Sequence, residues 1–200
     1  KWHDFNFTSI YNKMEKFQNP NKLPREMEFY TWEEFKQFLS VIDEFKYRVV
    51  FETLYYCGLR RGEARGLQWT DINWNEHTLS ITKQANSVKD HQHDYELTPP
   101  KTKKSIRTLP IVDLLYNDLQ ELYTEKKKYY DFNNKWFVFG TYEPLTFYKM
   151  QALGWDLSKK ADIRHLPLHG FRHSCASLLI NLGQDATRSK ERRVGKECRS

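Results

Sequence analysis

The hydrophobic residues of this chain change their period twice, and that pattern constrains the fold more than any other feature. Up to Tyr55, apolar side chains recur every three or four residues: Phe35, Phe38, Leu39 and Ile42, then Val50, Phe51, Leu54 and Tyr55. This is the repeat of helices with one buried stripe. Between Ile72 and Ile111 the repeat shortens to two. Ile72 and Trp74 alternate, Asn75, Glu76 and His77 turn, Leu79 and Ile81 alternate, and Tyr95–Thr98 and Ile106–Ile111 read as further strands. The helical repeat returns at Leu115, Leu119 and Leu122, at Met150, Leu153 and Leu157, and from His169 onward. Helices, a small antiparallel sheet and helices again predict an α+β fold that is mainly α-helical.

Local signals set the boundaries. Thr31 as N-cap and Glu34 three residues later form a capping box, with Tyr30 and Phe35 spaced for a hydrophobic staple. Gly58 is a natural stop for the second helix, and a short third one starts near Gly62. Val88 to Asp94 is a polar loop. Phe7, Ile10, Tyr11, Met14 and Phe17 place an amphipathic helix in residues 1–18, expected to be the end of a preceding domain. Residues 19–28, with Pro20 and Pro24, read as a linker, and 29–187 as the main domain. Residues 188–200 carry no apolar stripe and read as a non-native or disordered basic tail.

Charge alone does not reveal a partner. The chain carries a net charge of +6, but its last thirteen residues hold six basic and two acidic side chains, leaving about +2 for the body. No apolar run approaches the roughly 20 residues that span a bilayer, so no membrane partner is expected. Cys57, Cys175 and Cys198 form neither a metal spacing nor an even disulfide set, which fits a reducing, cytoplasmic compartment.

Specific residues say more. Gly58-Leu59-Arg60-Arg61-Gly62-Glu63 places an arginine between two glycines at a helix–helix junction. Pro99-Pro100-Lys101-Thr102-Lys103-Lys104-Ser105-Ile106-Arg107 places lysines in a strand-to-strand turn. In the last helix, at about 100° per residue, Phe171, Cys175, Leu178, Leu179 and Leu182 fall on one side and His169, Arg172, His173 and Ala176 on the other. His169 and Arg172 therefore share a face away from the apolar stripe. Each cluster alone has a plain structural explanation: a helix-end charge, a solvated hairpin tip, a capping histidine with an ion-paired arginine.

Taken in order, the three clusters resemble the tyrosine recombinases, the integrases of phages and transposons. The family pattern runs Gly-x-Arg-x-Gly-Glu, then a lysine in a β-hairpin, then His-x-x-Arg on a helix. Here it is matched by Gly58 to Glu63, Lys101, and His169 to Arg172. Phe29-Tyr30-Thr31-Trp32-Glu33-Glu34-Phe35 resembles the opening of the family's catalytic domain, and the N-terminal helix the end of its core-binding domain.

The resemblance implies the DNA breaking–rejoining fold and transesterification through a 3′-phosphotyrosine. It implies that Arg60 and Arg172 stabilise the negative charge on the scissile phosphate, because guanidinium forks are planar, always charged and bidentate. Lys101 would protonate the leaving 5′-oxygen, with Lys103 or Lys104 as alternatives, and His169 would be acid/base partner and phosphate donor. Glu63 would orient Arg60, and His173 would support the site from behind. Arg61, Lys103 and Lys104 would touch DNA. No metal and no other cofactor is implied. The partners would be double-stranded DNA attachment sites, with the full-length parent a homotetramer on DNA.

One departure matters. The family continues with Leu-Gly-His and then its nucleophilic tyrosine, whereas the last tyrosine here is Tyr148, ahead of His169. The nucleophile is expected to be missing and the domain truncated, so the chain as given would not cleave DNA. The alternative is a non-catalytic DNA-binding fragment, an inhibitor or the remnant of a decayed integrase. A zinc site on His169 and His173, aided by His165, His91 or His93, is disfavoured: Gly170 stands where the His-Glu-x-x-His motif has its general base.

Overall fold

The computed structural model describes residues 28–88, 95–100 and 105–181. The expected helix in 1–18, nearly all of the linker, the tail, and Lys101, Lys103 and Lys104 lie outside these.

Helix α1 (Trp32–Ser40) starts at the expected capping box. Glu34 N–H donates to Thr31 Oγ1 at 3.2 Å, and Thr31 N–H donates to Glu34 Oε2 at 2.8 Å. Tyr30 is buried and its ring meets Phe38 and Phe171 at centroid distances of 5.7 and 5.5 Å. Helix α2 (Phe45–Cys57) is the central element, buried from Val49 to Tyr55 without a break. A stretch buried on every side must be surrounded, and α2 packs against both α4 (Asp113–Lys126) and α6 (Leu168–Asn181).

Six residues of α3 (Arg61–Gly66) and a 3₁₀ turn (Trp69–Asp71) lead into the strands. The structure divides these into two sheets rather than one. Strands β1 (Ile72–Asn73), β2 (Thr78–Ile81) and β5 (Arg107–Pro110) form an antiparallel sheet in the order β1-β2-β5. Strands β3 (Gln84–Asn86) and β4 (Glu96–Thr98) pair separately, and β3 lies against α3. Between β2 and β3 the Lys83 ammonium contacts both carboxylate oxygens of Asp71 at 2.6 Å, anchoring the chain where it leaves the first sheet. Trp74 is not in a strand. It leaves the sheet after Asn73 and packs on Tyr123 and Tyr116 at centroid distances of 5.2 and 5.7 Å.

Helix α4 buries Leu115, Leu119 and Leu122, as its sequence predicts. Helix α5 (Phe147–Lys160) is capped by Thr146, and its Gly154 lies against Phe51 of α2. The core around the start of α6 is aromatic: Phe171 sits among Tyr30, Phe35, Phe38 and Phe51, and Phe35 stacks on Tyr55 at 3.7 Å.

Candidate functional site

The site is built around the end of α2. Gly58 adopts φ +56°, the left-handed conformation in which a side chain is strained. There is no room for one either: a Cβ at Gly58 would stand 3.0 Å from Cys175 Sγ of α6. This close approach lets the Arg172 guanidinium of α6 donate through Nη1 to the carbonyl of Gly58. Two residues after Gly58 stands Arg60, the N-cap of α3. One glycine thus turns the chain toward Arg60 and admits the helix that carries Arg172.

Glu63 holds Arg60 in place. Its Oε2 accepts from Arg60 N–H at 2.9 Å and its Oε1 from Arg60 Nη1 at 2.8 Å. A second arginine contributes more. Arg107, the first residue of β5, forks onto the same carboxylate, with Nη1 2.9 Å from Oε1 and Nη2 2.7 Å from Oε2. Burial alone would raise the Glu63 carboxyl, but the hydrogen bonds from Arg107 and Arg60 outweigh it and hold it down at about 2. Glu63 is therefore a carboxylate at any ordinary pH.

Arg60 and His169 face one open pocket of about 380 Å³, lined also by Arg61, Phe147, Gln151, Pro167 and Leu168. The Arg61 guanidinium lies over the Phe147 ring at 4.4 Å, a cation–π contact that keeps it at the pocket wall. His169 and His173 meet edge to face at 4.6 Å. Burial, His173, Arg172 and Arg60 together lower the His169 imidazole below its usual value, so at neutral pH it is uncharged. Gly170 between them has a packing reason: a Cβ there would stand 3.0 Å from Leu166 Cβ. His165 packs instead on Trp155, at 4.6 Å, while His91 and His93 lie outside the described residues.

The model of the phage integrase family matches residues 28–190. The chain belongs to that family. It is 31 % identical over 188 residues to the ICEBs1 integrase of Bacillus subtilis, covering 87 % of this chain and 50 % of the relative. It is 27 % identical over 178 residues to a XerC-like tyrosine recombinase of Caldanaerobacter subterraneus, covering 81 % and 46 %. The chain thus spans about half the length of these curated relatives. In fold it resembles the Tn1549 transposon integrase, solved in complex with transposon right end DNA, with a TM-score of 0.71 at 22 % identity over 96 % of this chain and 67 % of that one. It also resembles the XerA recombinase, with a TM-score of 0.66 at 17 % identity over 88 % and 58 %. The mainly helical α+β architecture is that of the tyrosine recombinase catalytic domain.

Within this integrase domain, Arg60, Arg61 and His169 come to one pocket, Arg172 is tied to the glycine beside it, and Glu63 and His173 stand behind, touching Arg60 and His169. Arg107 is the residue that sequence reading passed over. It is the one charged residue in the Ile106–Ile111 segment, but the carboxylate that receives it lies 44 residues away, so its inward turn had no local signal.

Proposed function

We propose that this chain is the phosphate-binding part of a site-specific DNA recombinase, an integrase that cuts and rejoins duplex DNA through a 3′-phosphotyrosine. The observation that carries this reading is the joint at Gly58, which sets Arg60 and Arg172 on its two sides. Two guanidiniums brought to one phosphate would suit the transition state of phosphoryl transfer, where charge grows on the non-bridging oxygens. Losing one such donor typically costs about 10²–10³ in rate. His169, uncharged at neutral pH, can take up the proton of an attacking hydroxyl and donate to the phosphate. Lys101 is the proposed acid for the leaving 5′-oxygen, with Lys103, Lys104 and Arg61 as backbone contacts. Such chemistry conserves phosphodiester energy in a covalent bond and calls for no metal or nucleotide cofactor. The parent protein would act on attachment sites as a homotetramer, in the bacterial cytoplasm where its DNA substrate lies.

The relatives' names and the DNA in the Tn1549 integrase structure support this reading. Anisotropy of a labelled DNA duplex tests it. Arg60→Ala and Arg172→Ala should each weaken binding about ten- to a hundredfold, as expected for hydrogen bonds to a charged group. Wild-type affinity in both variants contradicts it.

A second reading concerns the 200-residue chain by itself, and Tyr148 favours it. This last tyrosine of the sequence is 87 % exposed on α5 and does not line the Arg60 pocket. The 200-residue chain by itself is then a DNA binder in which Tyr148 does not form the phosphotyrosine bond. Incubation with a nicked duplex and denaturing electrophoresis should show no protein–DNA adduct, and an adduct on Tyr148 would refute this.

A further inference from the structure

We propose that Arg107 is the counter-ion that keeps Arg60 available to an anion: by holding both oxygens of Glu63, it leaves the Arg60 guanidinium charged and open to its pocket. The inference rests on the reading of Arg60 as a phosphate ligand and adds a positioning residue to that site.

The charge count around Glu63 carries the argument. One carboxylate faces two guanidiniums, so the cluster holds one positive charge in excess. The geometry decides where the excess sits. The Arg107 side chain is 4 % exposed and that of Glu63 is 2 % exposed, and the two make a two-pronged pair. Arg107 Nη1 also donates to the Ser105 carbonyl at 3.1 Å. Arg107 is thus enclosed and cannot reach a ligand in the pocket. The Arg60 guanidinium, by contrast, gives Glu63 only Nη1, and the side chain is 48 % exposed. Its Nε and Nη2 have no protein partner among the described residues. The excess charge is therefore on Arg60, facing the pocket.

The arrangement also explains why a carboxylate is used here at all. Glu63 Oε2 accepts from Arg60 N–H at the start of α3, where a negative charge complements the helix dipole and fixes the Arg60 backbone. Without a second cation, the same carboxylate would capture the Arg60 side chain in a two-pronged pair, since an unpaired buried charge is strongly disfavoured. Arg107 removes that competition. Because it stands at the start of β5, it also ties the three-stranded sheet to the N-terminus of α3, 44 residues earlier.

Salt dependence of duplex binding by the 200-residue chain tests this. Each phosphate neutralised contributes about 0.9 to the slope of log K against log salt. Arg60→Ala should lower the slope by about one. Arg107→Gln should lower it equally although residue 107 cannot touch DNA, because Glu63 then pairs with Arg60. Arg107→Lys, which keeps the counter-charge, should retain the wild-type slope. The double variant Arg107→Gln/Glu63→Gln should recover it, which loss of packing alone would not produce. A folded Arg107→Gln with the wild-type slope overturns the proposal, as does a double variant no better than the single. If Arg107→Gln does not fold, Arg107→Lys and the double variant carry the test, and a lowered slope in either is contrary. An unchanged slope in Arg60→Ala would instead remove the phosphate-ligand reading and the proposal with it. A lowered slope in Arg60→Ala beside a normal Arg107→Gln would remove the proposal only.

Discussion

Truncating Phe171 to alanine should lower the unfolding free energy by about 3–5 kcal/mol, a large part of the stability of a domain of this size. Phe171 is fully buried where three helices meet, with ring centroids of Phe51, Tyr30 and Phe38 at 5.3, 5.5 and 5.6 Å. The site has little freedom to collapse into the cavity. Gly170 of α6 already lies close against Leu166, and Cys175 of α6 lies close against Gly58. The cost therefore includes an unfilled void as well as lost burial. It should be visible as a lowered urea midpoint in circular dichroism. A Phe171→Leu variant, which keeps most of the volume, should lose clearly less. A change below about 1 kcal/mol for Phe171→Ala would mean that this aromatic cluster does not hold α6.

Acid should destabilise the chain through Glu63. Its carboxyl lies at about 2 in the folded protein against an ordinary value of 4.5. A depressed folded value means that the unfolded chain binds the proton more readily. The stabilisation is fully present above pH 4.5 and is lost as pH falls toward 2, and it is worth roughly 3 kcal/mol. Glu63→Gln should remove this acid limb, so that variant and wild type differ most near neutrality and converge near pH 2.

Glu52 has the opposite sign. It is completely buried on α2, and burial first, then Asp118 of α4, raise its carboxyl to about 7, against the opposing pull of Arg48. Its Oε2 is buried with no hydrogen-bond partner, and Asp118 Oδ2, likewise without one, lies 4.0 Å from Arg48 Nη2. Arg48 Nε donates to Glu52 Oε1 at 2.9 Å, and the buried Tyr56 hydroxyl is another titratable group that feels Glu52. A raised folded value stabilises most below pH 4.5 and fades as pH rises through 7. Thermal melts from pH 3 to 8 should therefore show maximal stability in the mildly acidic range. Glu52→Gln should flatten the neutral limb and Glu63→Gln the acid one. Identical profiles for wild type and both variants would contradict the assignment.

What was legible in the sequence was mostly local. Thr31 and Glu34 make a capping box wherever a helix begins, and Gly58 ends α2 for a reason contained in its own backbone. The leucines of α4 and the two faces of α6 follow from helical geometry, so His169 and Arg172 could be placed together on a face before any fold was known. Features that depend on distant partners were not legible. Gln84–Asn86 pairs with Glu96–Thr98 as a second sheet, although Ala85 is its one buried residue and no alternation marks it. Trp136 to Phe139 is buried with neither helical nor strand periodicity, because isolated backbone bonds to Leu67 and Trp69 hold it rather than a ladder. Arg107 turns inward where Ile106 was the natural choice, because the carboxylate that receives it lies 44 residues away. The motif order pointed to Arg60, which faces the pocket, but not to Arg107, which shares its carboxylate.

The central claim is that Arg60 and Arg172 together hold a backbone phosphate of duplex DNA. A crystal structure of this chain with a DNA duplex tests it most directly. The account predicts a phosphate at the mouth of the pocket between α3, α5 and α6, within about 3 Å of both guanidiniums, with Arg107 still on Glu63. A duplex bound elsewhere, for instance along Lys46, Lys126 and Lys128 at the ends of α2 and α4, with the Arg60 pocket facing solvent, would contradict it.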